Sequence, residues 1–255
     1  MKADLGDVTL RYEVAGEGPD LLLSHGVIEN SSSWDDVLAP LAGLFRVTCY
    51  DARGRGGSSG GDAPFGFAEL ADDAEALARH LGLENFVHIG HSMGGRTALE
   101  HAVRYPRRLA GLVVASARAE APSAAGRARL ETLIESVKAD GSGAGVDMWT
   151  SPNDHYYGRA REISEVNPVP GTTQALAALV AMNSFVPRLR SVGVPVLVVA
   201  GDRDVDYLRS AEVMAEQIPV SSLQVLPGVG HFPNLQCPAE LAGHVIRFAK
   251  KRPGP

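Results

Sequence analysis

Short apolar runs alternate along the chain with segments whose apolar residues recur at every third or fourth position. The runs lie at residues 8–14, 21–24, 46–50, 86–89, 112–117, 194–200 and 223–226. They are rich in Val, Ile and Leu, which is typical of strands covered on both faces of a parallel sheet. The first two runs flank a link rich in turn-forming residues, Ala-Gly-Glu-Gly-Pro-Asp, and this predicts that they pair antiparallel.

The periodic segments predict helices between these strands. In residues 67–81 the apolar positions fall on one helical face, and Gly82 is placed to end the helix. Residues 240–251 repeat the pattern with Leu241, Val245 and Phe248. Alternating strands and helices predict an α/β fold with a mostly parallel, twisted sheet and helices on both faces.

Residues 118–190 interrupt this alternation. They contain helical patterns at 127–139 and 173–183 but no strand pattern, and glycine- and proline-rich connectors lie at 141–145 and 167–171. We therefore predict a core formed by residues 1–117 and 191–255, with a helical insertion at 118–190.

Composition narrows the possible classes of protein. The 255 residues are 45% apolar and carry a net charge of −6, which is ordinary for a globular enzyme. No basic block indicates a nucleic-acid partner, and no apolar stretch is long enough to span a membrane. The first residues lack the apolar core of a signal peptide, so a cytoplasmic location is expected. Cys49 and Cys237 are expected to form neither a disulfide nor a metal site.

A candidate nucleophile lies in Gly-His-Ser-Met-Gly at residues 90–94, between an apolar run and a helix-forming segment. One large class of enzymes presents a serine on such a turn, with glycines leaving room on either side. The helix N-terminus that follows favours a developing negative charge. The same spacing occurs at 56–60 and 57–61, but no helical segment directly follows those serines. The apolar run before it and the helix-forming segment after it therefore single out Ser92 as the candidate nucleophile.

A serine hydroxyl needs a base, and the base needs a group that orients it. Both are expected at the carboxyl ends of parallel strands. His231 is the only histidine in a loop just after a late predicted strand. The loop after residue 200 supplies Asp204 as the preferred acid, with Asp206 and Asp202 as alternatives. The order Ser, Asp, His is typical of enzymes with a nucleophile elbow.

The loop after residues 21–24 reads His-Gly-Val at positions 25–27. A backbone N–H of this loop and that of Met93 are predicted to bind the oxyanion of a tetrahedral intermediate. Gly26 would let the backbone approach closely, and His25 is predicted to brace the loop.

Together these segments resemble the α/β-hydrolase superfamily in its serine-nucleophile branch. Ser-His-Gly at 24–26 looks like the family's oxyanion loop, and residues 51–58 look like its Asp-x-Arg-Gly-x-Gly-x-Ser loop. Residues 201–204 match its Gly-x-x-Asp turn, and Gly-His at 230–231 matches its base. The resemblance implies Asp204 as the acid, Val27 and Met93 as oxyanion donors, and residues 118–190 as the cap.

Serine at the elbow argues against the haloalkane dehalogenase and epoxide hydrolase branches, which need a carboxylate nucleophile. The layout is most similar to 3-oxoadipate enol-lactonases and small carboxylesterases. We therefore expect hydrolysis of a small carboxylic ester or lactone through an acyl-enzyme on Ser92. Water is the second substrate, and neither an organic cofactor nor a metal is expected.

Six side chains of the predicted cap are candidates for lining an apolar pocket, with simple helix packing as the alternative for each. They are Trp149, His155, Tyr156, Tyr157, Met182 and Phe185. The sequence contains no feature that specifies an oligomeric state.

Other functions are compatible with parts of this pattern. A carbon–carbon bond hydrolase of the meta-cleavage-product type would use the same triad. A cofactor-free haloperoxidase-like activity and a non-catalytic, ligand-binding homologue are further alternatives, although the complete triad argues against the last. Residues 53–61 lack the Gly-Lys-Ser/Thr of a P-loop, so nucleotide binding is not predicted.

Overall fold

One sheet of eight strands runs through the computed structural model, which describes residues 1–252. The last three positions of the predicted core segment 191–255 lie outside the described residues. The strands are β1 Lys2–Asp4, β2 Thr9–Ala15, β3 Asp20–Ser24, β4 Arg46–Tyr50, β5 Phe86–His91, β6 Leu109–Ala115, β7 Val196–Gly201 and β8 Ser221–Leu226. Their spatial order is β1-β2-β4-β3-β5-β6-β7-β8, and β3 to β8 run parallel. The predicted α/β architecture is confirmed.

The predicted antiparallel pairing of the first two apolar runs is wrong. β2 pairs antiparallel with β4, and β4 lies between β2 and β3. β4 is buried at four of its five positions, so the backbone groups on both of its edges need partners inside the sheet. The turn-rich link predicts a change of direction but does not specify which strand becomes the neighbour. The short strand β1, which the pattern did not predict, pairs with β2 at the edge.

Helices cover both faces of the sheet. In the described residues they are α1 Asp35–Ala42, α2 Phe67–His80, α3 Met93–Arg104, α4 Ala124–Asp140, α5 Tyr157–Glu165, α6 Val169–Ala181, α7 Val205–Gln217, α8 Pro233–Gln236 and α9 Pro238–Ala249. The helices predicted at 67–81, 127–139, 173–183 and 240–251 correspond to α2, α4, α6 and α9. Gly82 ends α2 with a φ of 65°, a conformation that glycine adopts without strain.

The two faces of the sheet form separate cores because side chains alternate along each strand. In β7, Val196 and Val198 join the core beneath α2, α3 and α7, whereas Val199 joins the core beneath α1 and α9. Every residue of β5 and β7 is buried. The uniformly apolar runs therefore reflect strands covered on both sides, as predicted.

Between β6 and β7 the chain forms only helices: α4, α5, α6 and two 3-10 helices at Ser142–Met148 and Val186–Ser191. Asn167 in this segment connects it to two loops of the core. Its amide donates to the carbonyl oxygen of Ile28, and its side-chain oxygen accepts from the N–H of Gly56. These loops follow β3 and β4, so the segment lies over the carboxyl edge of the sheet.

Candidate active site

Ser92 lies on a tight turn between β5 and α3, in a conformation that residues other than glycine rarely adopt. Its φ is 51°, and its N–H donates to the carbonyl oxygen of Ala115 over 2.8 Å. A Cβ at Gly90 would lie 2.2 Å from the carbonyl oxygen of Gly94, and a Cβ at Gly94 would lie 2.1 Å from that of Ser24. Both glycines are therefore a steric requirement of the turn.

The two serines of the competing five-residue patterns have structural contacts. The hydroxyl of Ser58 donates to the carbonyl oxygen of Asp51 and accepts from the N–H of Arg11. The hydroxyl of Ser59 accepts from the N–H of Thr9. Both serines therefore hold the loop after β4 against β2, away from Ser92.

The structure brings Ser92, His231 and Asp204 into one line of hydrogen bonds. Nε2 of His231 lies 3.1 Å from Oγ of Ser92, and Nδ1 of His231 lies 2.7 Å from Oδ2 of Asp204. A carboxylate accepts a hydrogen bond, so Nδ1 carries the proton and Nε2 presents a lone pair to the serine hydroxyl. The arrangement can therefore move a proton from Ser92 to His231.

The two alternative acids have other surroundings. Asp202 accepts from the N–H of Gly228 over 2.7 Å, and Asp206 is exposed in the first turn of α7. Asp204 directly precedes α7 and is the carboxylate that contacts His231.

Two aromatic rings enclose the imidazole of His231. The centroid of Tyr207 lies 4.3 Å away, and the indole of Trp149 is stacked at 5.8 Å with an interplanar angle of 19°. Burial lowers the pKa of His231 below its ordinary value of 6.5, against the charge and hydrogen bond of Asp204, which act to raise it. His231 is therefore neutral near neutral pH, the form that accepts a proton.

The loop after β3, which contains Val27, packs against the first turn of α3, which begins at Met93. Gly94, one residue after Met93, packs against the carbonyl oxygens of Ser24 and His25. The N–H of Gly26 donates to the carboxylate of Glu29, so this N–H is already used. His25 accepts from the N–H of Ala52 through Nε2 and donates to the carbonyl oxygen of Gly26 through Nδ1. His25 thus braces the loop, as predicted.

Glu29 is a buried carboxylate behind the site that the sequence analysis did not identify. It accepts from Nδ1 of His91 over 2.7 Å and from the amide of Asn234 over 2.8 Å. Burial acts to raise the pKa of Glu29, but the charge on His91 and hydrogen bonds from His91, Asn234 and Gly26 lower it to about 2. The available signal was that Glu29 is the only acidic or basic residue, histidine aside, between positions 21 and 34.

A cavity of about 500 Å³ opens beside His231 and Asp204. Trp149 and Met182, two of the six predicted pocket residues, line it together with Leu130, Met148 and Leu179. Its charged lining includes Arg118, Arg129, Arg203 and Asp206. The site therefore combines an apolar wall with several cationic groups.

The other predicted pocket residues do not line this cavity. His155 is exposed, and the hydroxyl of Tyr157 donates to Asp147 near the surface. Tyr156 is buried against Phe232, with ring centroids 6.0 Å apart.

Phe185 is fully buried and contacts two guanidinium groups. Arg96 lies 4.3 Å and Arg188 lies 4.7 Å from its ring centroid. For Phe185, the structure therefore shows packing rather than a place on the cavity.

Within residues 1–252, no group of three or more histidine, cysteine, aspartate or glutamate side chains is arranged to hold a metal ion. Across the same residues, every helix is too short or too polar to cross a membrane. Cys49 and Cys237 have free thiols.

A nucleophile turn between a strand and a helix, with a histidine and an aspartate after later parallel strands, defines the α/β-hydrolase class of fold and site. Comparison with known proteins agrees. The model of the alpha/beta hydrolase family matches residues 21–244, and the chain belongs to this family.

Relatives of nearly the same length include hydrolases of several kinds. The chain is 34% identical to a protein of Agrobacterium fabrum that is provisionally named a carbamate hydrolase, over 94% of this chain and 97% of that protein. It is 29% identical to 3-oxoadipate enol-lactonase 2 of Acinetobacter baylyi, over 96% and 94% of the two chains. A thermophilic esterase of Thermogutta terrifontis, solved with malate bound, superposes with a TM-score of 0.89 at 28% identity, over 96% of this chain and 94% of the esterase.

Proposed function

We propose that this protein is a serine hydrolase that cleaves a small carboxylic ester or lactone through an acyl-enzyme on Ser92. The observation that carries the proposal is the line from Ser92 through His231 to Asp204, with separations of 3.1 and 2.7 Å. The enol-lactonase and the esterase among the relatives support an ester or lactone as the substrate.

In the acylation step, His231 takes the proton of Ser92 while the serine oxygen attacks the carbonyl carbon. Asp204 stabilises the imidazolium that forms and holds the ring in the correct tautomer. The backbone N–H groups of Val27 and Met93 are assigned to the oxyanion. Removing one such donor typically costs about 3 kcal/mol of transition-state stabilisation.

The imidazolium of His231 then protonates the leaving oxygen, which departs as the alcohol, or stays attached when the substrate is a lactone. In the second step His231 takes a proton from water, and the hydroxide attacks the acyl-enzyme carbonyl. Collapse of this second intermediate returns the proton to Ser92 and releases the acid.

Residues 118–190 are proposed to act as the cap over this site. Trp149 supports this role because its indole stacks on His231, and Met182 lines the same cavity. A cap of this kind limits the access of water and shapes the pocket for a small molecule.

A carbamate is a second candidate substrate, favoured by the relative from Agrobacterium fabrum. Its carbonyl is open to the same attack by Ser92. Comparing turnover of an alkyl acetate with turnover of the matching N-alkyl carbamate separates the two candidates.

The test is covalent labelling with a fluorophosphonate probe, located by peptide mass spectrometry. We expect one label, on Ser92, and its loss in Ser92→Ala. His231→Ala should slow labelling by at least ~100-fold because the hydroxyl loses its base. Ser58→Ala and Ser59→Ala are the matched controls, since these serines share the motif but have structural contacts. Full-rate labelling in His231→Ala, or labelling at another serine, would contradict the proposal.

A further inference from the structure

The cavity beside His231 carries positive charge that no described acidic side chain neutralises by a direct ion pair. Arg118, Arg129 and Arg203 line it, and none of them forms an ion pair with an acidic side chain within residues 1–252. Asp204 lines the same cavity, but its carboxylate is held by His231. Asp206 is exposed, so water and salt screen its charge.

Arg118 lies close to the base through Tyr207. It follows β6 by three positions, and its guanidinium carbon lies 5.4 Å from the ring centroid of Tyr207. Tyr207 in turn contacts His231, so a single ring separates the cation from the base. The Nε of Arg118 is buried and has no hydrogen-bond acceptor within the described residues. The guanidinium therefore has neither a protein acceptor at Nε nor an acidic partner, so its charge favours an anion that enters the cavity.

A carboxylate matches this site in both charge and shape. The planar guanidinium presents parallel N–H groups that bind a carboxylate through two hydrogen bonds. The cavity that Arg118 and His231 line is also lined by Leu179 and Met182, which suit an aliphatic chain. Arg129 lies exposed at the same cavity and adds attraction for an anion.

We propose that the site selects esters or lactones that carry a carboxylate at the far end of a short aliphatic chain, and that Arg118 binds this carboxylate with assistance from Arg129. This inference rests on the proposed function, because it assigns the substrate class of Ser92. Arg118 is a specificity-determining residue in this scheme and takes no part in bond making.

Binding to Ser92→Ala tests the inference without requiring turnover. The probe is monoethyl adipate, and the neutral partner is ethyl hexanoate, which has the same acyl chain length and a methyl group in place of the carboxylate. Titration calorimetry should give at least ~10-fold tighter binding of the monoester, a preference that Arg118→Gln removes. Arg209→Gln is the matched control because it removes an equal charge from the exposed side of α7. Titrations with the monoethyl esters of succinate to suberate then identify the preferred chain length.

Turnover by the wild type separates failure of this inference from failure of the proposed function. If both esters are hydrolysed with equal kcat/KM, the protein is an esterase and the carboxylate subsite is wrong. If neither is hydrolysed but the monoester binds through Arg118, the subsite stands and the ester chemistry is wrong. Arg118→Lys, which keeps the charge, and Arg129→Gln, at an exposed position, should each lower the preference partly. Equal affinity of Ser92→Ala for both esters overturns the inference outright.

A second, independent observation concerns His91, the residue next to the nucleophile. Its Nδ1 lies 2.7 Å from the Glu29 carboxylate, and its Nε2 lies 2.7 Å from the carbonyl oxygen of His231. Both partners are acceptors, so both ring nitrogens must carry protons, and the ring is then an imidazolium. Glu29 also accepts from Gly26 and Asn234, which favours its ionised form.

This buried pair connects three loops of the candidate site. Glu29 holds the loop after β3 through Gly26, His91 precedes the nucleophile, and the carbonyl oxygen of His231 belongs to the base. The centroids of the His91 and His231 rings are 5.2 Å apart. The titratable groups that face His231 are Asp204, His91, Glu29 and the phenol of Tyr207.

We infer that Glu29 and His91 act as a buried ion pair that positions the backbone of His231, and that the charge on His91 keeps the His231 ring neutral. His91 is a positioning residue here and does not contact substrate. The charge of His91 lowers the pKa of His231, and it does so more strongly than Glu29 raises it.

The test is the pH profile of kcat/KM, or of fluorophosphonate labelling, for His91→Gln. Glutamine retains a donor for the carbonyl oxygen but lacks the charge, so the midpoint of the acid limb should move up by roughly half to one pH unit. His80→Gln, at an exposed histidine, is the matched control and should leave the limb in place. A uniform loss of rate at every pH would show a merely structural role and overturn the charge effect.

A measurement on the wild type keeps the inference testable if His91→Gln does not fold. Nitrogen-15 NMR of the histidine rings should show both nitrogens of His91 protonated at pH 7.5. A neutral His91 ring at that pH overturns the inference.

Discussion

At the scale of single residues, the surroundings of His231 set the pH at which the site works. Burial lowers its pKa below 6.5, and protonation of Nε2 would remove the lone pair that accepts the serine proton. Activity is therefore lost as the pH falls through the lowered pKa and is retained above it. We expect the acid limb of kcat/KM to have its midpoint below pH 6.5. A midpoint above pH 7, measured with a substrate that does not ionise in this range, would contradict this assignment.

Trp149 contributes to these surroundings from the helical segment. Its indole stacks on His231 and lines the cavity beside it. Trp149→Ala should lower kcat/KM roughly 2- to 10-fold through the lost ring contact. It should also move the acid limb toward pH 6.5, because burial is the largest cause of the shift. Trp149→Phe keeps a ring at this position and should retain most of both effects, whereas an unchanged profile in Trp149→Ala would exclude this role.

At the scale of elements, the turn between β5 and α3 depends on glycines that have no room for a side chain. A Cβ at Gly94 would lie 2.1 Å from a backbone oxygen of the loop after β3, so Gly94→Ala must displace one of the two elements. We expect a loss of more than ~3 kcal/mol in the free energy of unfolding, measured by urea denaturation, together with loss of labelling at Ser92.

Gly158 provides the control for that substitution. It lies in α5, and a Cβ there would meet no atom within 4 Å. Gly158→Ala should raise the free energy of unfolding by roughly 0.5–1 kcal/mol, because alanine has the higher helix propensity. Equal effects of the two substitutions would show that steric conflict at the elbow is not the cause.

Helices and strand pairings also differ in how well the local sequence pattern predicts them. The periodicity of residues 67–81 predicts α2 because burial of one helical face acts over a few turns. The pairing of β2 with β4 was not predictable in this way, since the partner lies more than thirty residues away in sequence. Strand order depends on which strand edges are buried, because the backbone groups along those edges need hydrogen-bond partners. This is a property of the whole sheet.

At the scale of the whole molecule, the buried carboxylate of Glu29 couples stability to pH. Its pKa is about 2 in the folded protein against an ordinary value of 4.5. It therefore contributes stability at pH values above 4.5, and this contribution is lost as the pH falls from 4.5 toward 2. Glu29→Gln should cost about 3 kcal/mol at pH 6 and progressively less toward pH 3. Urea denaturation at both pH values checks this; a cost independent of pH would exclude the linkage.

The residues of the candidate site differ in whether the sequence could identify them. Ser92, Asp204 and His231 were identifiable because each lies in a short motif next to a predicted strand end. Glu29, Tyr207 and Arg118 lie in no such motif. Their positions relative to His231 depend on how β3, β6, β8 and α7 pack together.

From the amino-acid sequence alone follow the α/β class, the strand–turn–helix around Ser92 and the three residues of the hydrogen-bonded line, because these depend on local periodicity and local steric requirements. The order of β2, β4 and β3, the ring contacts of Trp149 and Tyr207 with His231, and the buried pair of Glu29 and His91 become visible only in the folded chain. Burial and charge compensation are set by groups that are distant in sequence. Neither can be evaluated until those groups meet in space.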